Sequence, residues 1–141
     1  MTGTACGALD RLREMQETGE LGGLCERQGL DLLVVHGSVL LQEPLRPADD
    51  LDIAYRHRPG ADPDVLGLVN ELMDVTGFDR IDPMDLRNAG VVAQARALGP
   101  RSLPLYEAAA GDFATAQMAA LTTEMETRHL RRLDLELMAG R

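Results

Sequence analysis

The chain has 141 residues, a length that fits one compact domain with a hydrophobic core, and we assign residues 1–141 to a single domain. Its formal net charge is −9 and all 14 basic residues are arginine, which disfavours nucleic acid as a partner and excludes chemistry that needs a lysine. The sequence has no apolar run of about 18 residues and no N-terminal signal core, so we expect a cytoplasmic protein without a membrane span. Cys6 and Cys25 are too few for a disulfide framework and are predicted to be free thiols.

Two short helices and two strands are predicted in the first half of the chain. Apolar residues recur at helical spacing over residues 8–16, and a second helical piece ends at Gly29. The apolar run LDLLVV predicts a buried strand at residues 31–35. The stretch DLDIAY, residues 50–55, alternates polar and apolar side chains, which predicts a second strand with its apolar face toward the core.

The second half of the chain alternates helices with short extended segments. A helix is predicted from Pro63, with Asp62 as its cap, to Gly77. The extended segment FDRIDPMDL follows, and then a helix that ends at Gly99 and the short strand SLPLYE. A long helix over residues 112–138 completes the chain. This order predicts an α/β (α+β) fold in which helices flank a small mixed sheet.

The last helix carries a stripe of large apolar residues that we expect to pack on the core. The members of the stripe are Phe113, Met118, Leu121, Met125, Leu130, Leu133 and Leu137. Because one small sheet cannot cover so long a helix, part of the stripe is also a candidate face for an oligomer or for a partner protein.

Two short motifs are the first candidates for chemistry. Asp50 and Asp52 lie two residues apart on a predicted strand, so both carboxylates project from one face, where a shared Mg²⁺ would offset their repulsion. Upstream, Gly37 lets the backbone approach a phosphate closely, and Ser38 can open a short helix whose amides point at the anion. Each motif alone is also typical of an ordinary turn or acidic strand edge. Their order along the chain favours a metal and phosphate site.

The spacing of these motifs resembles that of a known superfamily. Gly37-Ser38, eleven intervening residues and then Asp50-Leu51-Asp52 resemble the signature of the DNA polymerase β-like nucleotidyltransferases. In size and layout the chain is similar to the minimal nucleotidyltransferases (MNT), which pair with HEPN proteins in toxin–antitoxin systems. The likeness runs from about residue 20 to the C-terminus, and it implies the nucleotidyltransferase fold with a long C-terminal helix.

The resemblance implies a site that depends on metal and ATP. Asp50 and Asp52 would hold two Mg²⁺ ions, and a third carboxylate would also bind metal and accept the proton of the attacking hydroxyl. Asp82, in the segment IDPMDLRNA, matches that third position best. A slipped register would promote Asp85, which ranks second, or Asp79.

By the same resemblance, Gly37 and Ser38 would seat the triphosphate. Family members often carry a basic residue shortly after this pair, whereas the positions here are apolar, and Arg46 in the following loop is the nearest substitute. His36 is close enough to matter, although a histidine at a strand end more often packs or hydrogen-bonds. Pro83 suits only an edge or irregular strand.

The implied activity is transfer of AMP from ATP to a hydroxyl acceptor, with release of pyrophosphate. If the resemblance extends to biology, the acceptor is a tyrosine of a partner HEPN toxin, which the modification silences. One alternative is an antitoxin that neutralises its partner by binding alone, which the missing basic residue favours. Another is a small-molecule nucleotidyltransferase, although the chain has no room for a second, acceptor-binding domain.

Overall fold

The structure, a computed structural model, describes residues 3–41 and 48–140, and within them the helices and strands follow the predicted order. The helices are α1 (Ala5–Thr18), α2 (Glu20–Arg27), α3 (Val65–Thr76), α4 (Val91–Ala97) and α5 (Asp112–Ala139). The strands are β1 (Leu30–His36), β2 (Leu51–His57), β3 (Ile81–Asp85) and β4 (Leu103–Glu107). A short 3₁₀ helix, Ser38–Leu41, follows β1.

The strands form one mixed sheet in the order β3-β2-β1-β4. β1 is antiparallel to both β2 and β4, whereas β2 and β3 are parallel. The two edge strands each contain a proline, Pro83 in β3 and Pro104 in β4, where a missing N–H is tolerated. The predicted α/β fold with a small mixed sheet is confirmed, and so is the edge position of Pro83.

Helices cover both faces of the sheet. On one face, buried side chains of α1, α2 and α3 pack against β1 and β2. On the other face, Ala97, Leu98 and Ala120 from the region of α4 and α5 pack against Val34 and Ala54. The strand alternation predicted for DLDIAY is therefore present, but its second face is not polar throughout. Ala54 is buried there beneath α4 and α5, whereas Asp52 and Arg56 on the same face are only partly buried.

The third helix starts later than predicted. It begins at Val65 rather than at Pro63, and its N-cap is Asp64 rather than Asp62. Oδ1 of Asp64 accepts a hydrogen bond of 3.0 Å from the backbone N–H of Gly67, one of the amides that a helix start leaves unpaired. The helix therefore begins after Asp64, because the carboxylate of Asp64 can reach this amide. The expectation that Pro63 would occupy the first turn was wrong.

The predicted core stripe of α5 is largely wrong. Five of its members are exposed: Met118, Met125, Leu130, Leu133 and Leu137. Phe113 packs against the second core as predicted, beside the small side chains of Ala116 and Ala120, which the predicted stripe did not include. Residues 128–140, about 20 Å of helix, are exposed throughout. Among the described residues no helix, α5 included, is both long and apolar enough to cross a membrane.

The two cysteines lie in different environments, and both are free: Cys6 is exposed and Cys25 is buried. Burial, aided by the charges of Glu71 and Glu26, raises the pKa of the Cys25 thiol to about 12. Because the thiolate is the reactive form, we expect a maleimide at about pH 7 to label one cysteine in the native protein and both after unfolding. Intact-mass spectrometry of the wild type and Cys6→Ser tests this, and rapid native labelling of Cys6→Ser would contradict it.

Candidate active site

Three polar side chains lie on adjacent strands at one end of the sheet. Asp52 on β2 is in register with His36 on β1 and with Asp82 on β3. Neighbouring strands are about 4.8 Å apart, so side chains at paired positions on one face are neighbours. Asp52 and Asp82 are close enough to share a hydrogen bond when one of them is protonated. Residues that are 30 positions apart in sequence therefore form one carboxylate pair.

Asp50 lies at the rim of this pair rather than within it. The strand begins at Leu51, and Asp50 is exposed in the bend just before it. The charge of Asp50 still acts on Asp52, although less than that of Asp82 does. Asp79 is also exposed, in the segment before β3. The structure thus places Asp52 and Asp82 at the centre of the candidate site.

The second-ranked carboxylate, Asp85, is engaged elsewhere. Its carboxylate accepts hydrogen bonds from the backbone N–H of Arg87 at 3.0 Å and from Nδ2 of Asn88 at 2.7 Å. On a strand, residues three positions apart face opposite sides of the sheet, so Asp82 and Asp85 do not share a face. The geometry therefore favours Asp82 over Asp85 as the neighbour of Asp52.

The environment of Asp52 disfavours its ionised form. Burial raises the pKa of Asp52 above its usual value, and the negative charges of Asp82 and Asp50 raise it further, while His36 lowers it. A cation bound here would reverse the balance, because it would stabilise the carboxylate against both desolvation and repulsion. The site therefore has the electrostatic properties of a cation-binding site.

The donor set fits a metal that is shared with a substrate better than one held by the protein alone. In the part of the chain that the structure describes, no three His, Cys, Asp or Glu side chains are arranged to hold a metal ion. Mg²⁺ is commonly bound by one or two carboxylates, with waters and substrate phosphates completing six oxygen ligands. Asp52 and Asp82 supply the two carboxylates, and Asp50 lies at the rim of the site as a candidate third ligand.

Gly37 lies directly against the Asp52 carboxylate. Its φ is +85°, in the left-handed region that glycine adopts without strain. A β-carbon at this position would overlap Oδ2 of Asp52 and lie 3.2 Å from its Cγ. Glycine is therefore required here for both backbone conformation and space, and it leaves open the surface beside the carboxylate.

Ser38 opens the predicted short helix, which is a 3₁₀ helix of four residues. The backbone N–H of Leu40 donates a hydrogen bond of 3.2 Å to the carbonyl of Gly37, which closes its first turn. Ser38 is exposed, while Val39 is buried in the core and anchors the turn. Arg46, the other predicted phosphate contact, lies outside the described residues.

A cavity of about 560 Å³ opens beside Gly37 and Ser38. The opposite wall is the end of α4 and the loop that leads to β4, and it includes Arg96, Arg101 and Ser102. This volume lies within the range of sites for small molecules. Sequence reasoning missed these residues, because only the pairing of β1 with β4 brings them beside the Gly-Ser turn.

His36 forms part of the cavity wall and is half-buried. Burial lowers the pKa of His36, an effect that the charges of Asp52 and Asp82 partly offset. We therefore expect a neutral imidazole at pH 7. Its Nε2 is buried and has no hydrogen-bond partner within residues 3–41 and 48–140.

Comparison with known proteins identifies the fold. Neither the protein-family models nor the curated protein sequences contain a significant match. Among solved structures, the chain is similar to one in the complex of tri-AMPylated HEPN toxin with MNT antitoxin from Shewanella oneidensis, with a TM-score of 0.62 at 17% identity, over 90% of this chain and 98% of that chain.

Two further structures agree. A toxin–antitoxin structure with AMP-PNP matches with a TM-score of 0.62 at 18% identity, over 86% of this chain and 97% of that chain. A toxin–antitoxin mutant of MntA, with two Asp-to-Glu changes two positions apart, matches with a TM-score of 0.62 at 17% identity and the same coverage. This chain has the nucleotidyltransferase fold. The resemblance predicted from the sequence is confirmed at the level of the fold. In this nucleotidyltransferase fold, the candidate carboxylates and the cavity lie at the same end of the sheet.

Proposed function

We propose that the protein is a Mg²⁺-dependent nucleotidyltransferase that transfers AMP from ATP to a hydroxyl acceptor and releases pyrophosphate. The observation that carries this proposal is the register that sets Asp52 beside Asp82, next to Gly37 and the cavity. The similar structures include a HEPN toxin that carries AMP and a complex with AMP-PNP, which supports chemistry on a nucleotide.

The position of each carboxylate determines its role in the proposed reaction. Asp50 and Asp52 hold the Mg²⁺ ions, with Asp82 as a further ligand. When bound, Mg²⁺ draws electron density from the α-phosphate and neutralises charge on the leaving oxygens. Asp52 is the central ligand because it lies between Asp82 and Gly37 and is the least exposed of the three carboxylates.

Asp82 is also the proton acceptor for the incoming hydroxyl. Its side chain is exposed on an edge strand, so an acceptor can reach it from solvent. As the hydroxyl proton passes to the carboxylate, the acceptor oxygen bonds to the α-phosphorus. The bond between that phosphorus and the bridging oxygen breaks, and pyrophosphate leaves with the electron pair.

The triphosphate lies along the turn after β1. Gly37 offers a surface without a side chain, and Ser38, an exposed residue, can donate hydrogen bonds from its hydroxyl and backbone N–H to phosphate oxygens. Arg46 remains part of the proposal as a phosphate contact. The cavity beside this turn gives the nucleotide a place next to the carboxylates.

The acceptor that we favour is a tyrosine hydroxyl on a HEPN toxin. A purified HEPN toxin is incubated with the protein, Mg²⁺ and ATP labelled on the α-phosphate, and the toxin is then analysed by peptide mass spectrometry. We expect label on the toxin, an added AMP group on one or more peptides, and loss of both when Mg²⁺ is chelated.

A parallel reaction uses ATP labelled on the γ-phosphate. AMP transfer leaves that label in pyrophosphate, so the toxin is expected to stay unlabelled. Label from the γ-position would show phosphoryl transfer, and no label from either position would leave only a binding role. Both results would overturn the proposed reaction.

A second candidate function is neutralisation by binding alone. It is favoured by Leu130, Leu133 and Leu137, which are exposed on the last turns of α5 in the way that a surface for a partner would be. Asp52→Asn separates the two functions. If the variant binds the toxin and restores growth of toxin-expressing cells, binding suffices; if it binds without restoring growth, AMP transfer is required.

A further inference from the structure

We propose that Arg96 and Arg101 bind the β- and γ-phosphates of the nucleotide and so supply the positive charge that the Gly37-Ser38 turn lacks. The inference rests on the proposed function, because it assigns residues to the triphosphate of that substrate. It concerns the wall of the cavity formed by the end of α4 and the loop before β4.

The sheet arranges opposite charges along one of its ends. β1 has β2 on one side, where His36 pairs with Asp52, and β4 on the other, where Val35 pairs with Leu103. The carboxylates therefore lie on β3 and β2, the Gly-Ser turn follows β1, and Arg101 lies just before β4. With strands about 4.8 Å apart, β2 and β4 are separated by roughly 10 Å.

This arrangement of charges favours one orientation of the bound triphosphate along the end of the sheet. The α-phosphate has to lie at Asp52 and Asp82, where the acceptor arrives, and the side-chain-free surface of Gly37 is next to them. From there the β- and γ-phosphates extend past Ser38 into the cavity, toward the wall that contains the two arginines. The opposite direction leads to β3, the edge strand, and away from the cavity.

Both guanidinium groups are available for a ligand. Arg96 and Arg101 are exposed, and within residues 3–41 and 48–140 neither forms an ion pair. An arginine in the last turn of a helix is common, because it complements the helix dipole. What distinguishes this pair is that both arginines line the same cavity as Gly37 and Ser38.

The charge of the substrate makes such groups necessary. The protein carries a net charge of −9, and Asp50, Asp52 and Asp82 lie at the site itself, so a polyanion meets repulsion that bound Mg²⁺ only partly offsets. Guanidinium groups bind phosphate oxygens in a bidentate manner. They also stabilise the charge that builds on pyrophosphate as it leaves.

The test compares ligands that contain the β-phosphate with ligands that lack it. Affinities for ATP, pyrophosphate, AMP and adenosine are measured by calorimetry in the presence of Mg²⁺, for wild type, Arg96→Gln and Arg101→Gln. We expect each variant to bind ATP and pyrophosphate about 10- to 100-fold more weakly, the scale of a lost charge-assisted hydrogen bond. Affinities for AMP and adenosine should not change.

Two further variants serve as controls. Arg132→Gln removes an exposed arginine of α5, within the segment where every residue is exposed, and should bind all four ligands like wild type. Arg101→Lys keeps the charge but not the planar fork, and should recover part of the affinity for ATP.

The outcomes separate this inference from the proposed function. If wild type binds MgATP and both glutamine variants bind it as tightly as Arg132→Gln does, the arginine assignment is wrong and the nucleotide site stands. Equal weakening for ATP and adenosine would place the arginines at the nucleoside and would also overturn the assignment. If wild type itself fails to bind MgATP, the proposed function falls and this inference falls with it.

Discussion

Asp52→Asn is expected to make the metal-free protein more stable at neutral pH and to slow AMP transfer by about 100-fold or more. Burial and the charges of Asp82 and Asp50 raise the pKa of Asp52, so ionisation of this side chain opposes folding when no cation is bound. Asparagine has almost the same shape and no charge. Loss of the central metal ligand should lower the transfer rate by about 100-fold or more, as for other groups that stabilise charge in a transition state.

The stability that Asp52→Asn adds relative to wild type should increase as the pH rises. The unfolded chain ionises Asp52 near its ordinary pKa of 3.8, whereas the folded protein holds the proton to a higher pH. The stability that protonated Asp52 contributes is therefore complete below that value and is lost as pH rises through the folded pKa. The difference in Tm between Asp52→Asn and wild type should therefore be small below the ordinary pKa of this carboxyl and should grow as the pH rises through the folded pKa.

Bound Mg²⁺ should reverse the order of stability of wild type and Asp52→Asn. A ligand that binds only the folded state raises Tm, so Mg²⁺ with a non-hydrolysable ATP analogue should stabilise wild type but not Asp52→Asn. Differential scanning fluorimetry with and without Mg²⁺ measures both effects. Asp74→Asn, on the exposed face of α3, is the matched control and should respond like wild type. An equal response of Asp52→Asn to Mg²⁺ would exclude Asp52 as a ligand.

Gly37→Ala is expected to lower AMP transfer by about 100-fold while the chain still folds. The new methyl group would occupy the place of Oδ2 of Asp52 and force that carboxylate to turn away from its present position. A misplacement of about 1 Å in a catalytic group can cost about 100-fold in rate. Alanine at a φ of +85° should also cost about 1–2 kcal/mol of folding free energy.

Gly60→Ala separates the backbone strain from the collision. Gly60 has a φ of +81°, close to that of Gly37, and a β-carbon there would meet no atom within 4 Å. Both variants should therefore lose similar stability from strain in chemical denaturation, but only Gly37→Ala should lose activity and the stabilisation by Mg²⁺. If the two variants retain the same activity, the contact between Gly37 and Asp52 has no catalytic role.

The strands that frame the site could be predicted because their signal is local. LDLLVV is a short, continuous apolar run and DLDIAY alternates, and each pattern reflects the burial of that strand alone. The helix α5 shows the limit of the same reasoning. Helical spacing of large apolar residues predicted a core stripe, but close approach to the sheet selects the small side chains of Ala116 and Ala120, and Met118 is left exposed.

The spacing of Gly37, Ser38, Asp50 and Asp52 along the chain was enough to predict a candidate metal and phosphate site near the end of β1, because these residues lie on consecutive elements. The resemblance already ranked Asp82 above Asp85, but the parallel pairing of β2 with β3 decides that Asp82 lies opposite Asp52. The cavity and its arginines depended on the antiparallel pairing of β1 with β4. Strand pairing joins residues that are far apart in sequence, and local patterns of polarity and spacing carry no information about which strands become neighbours.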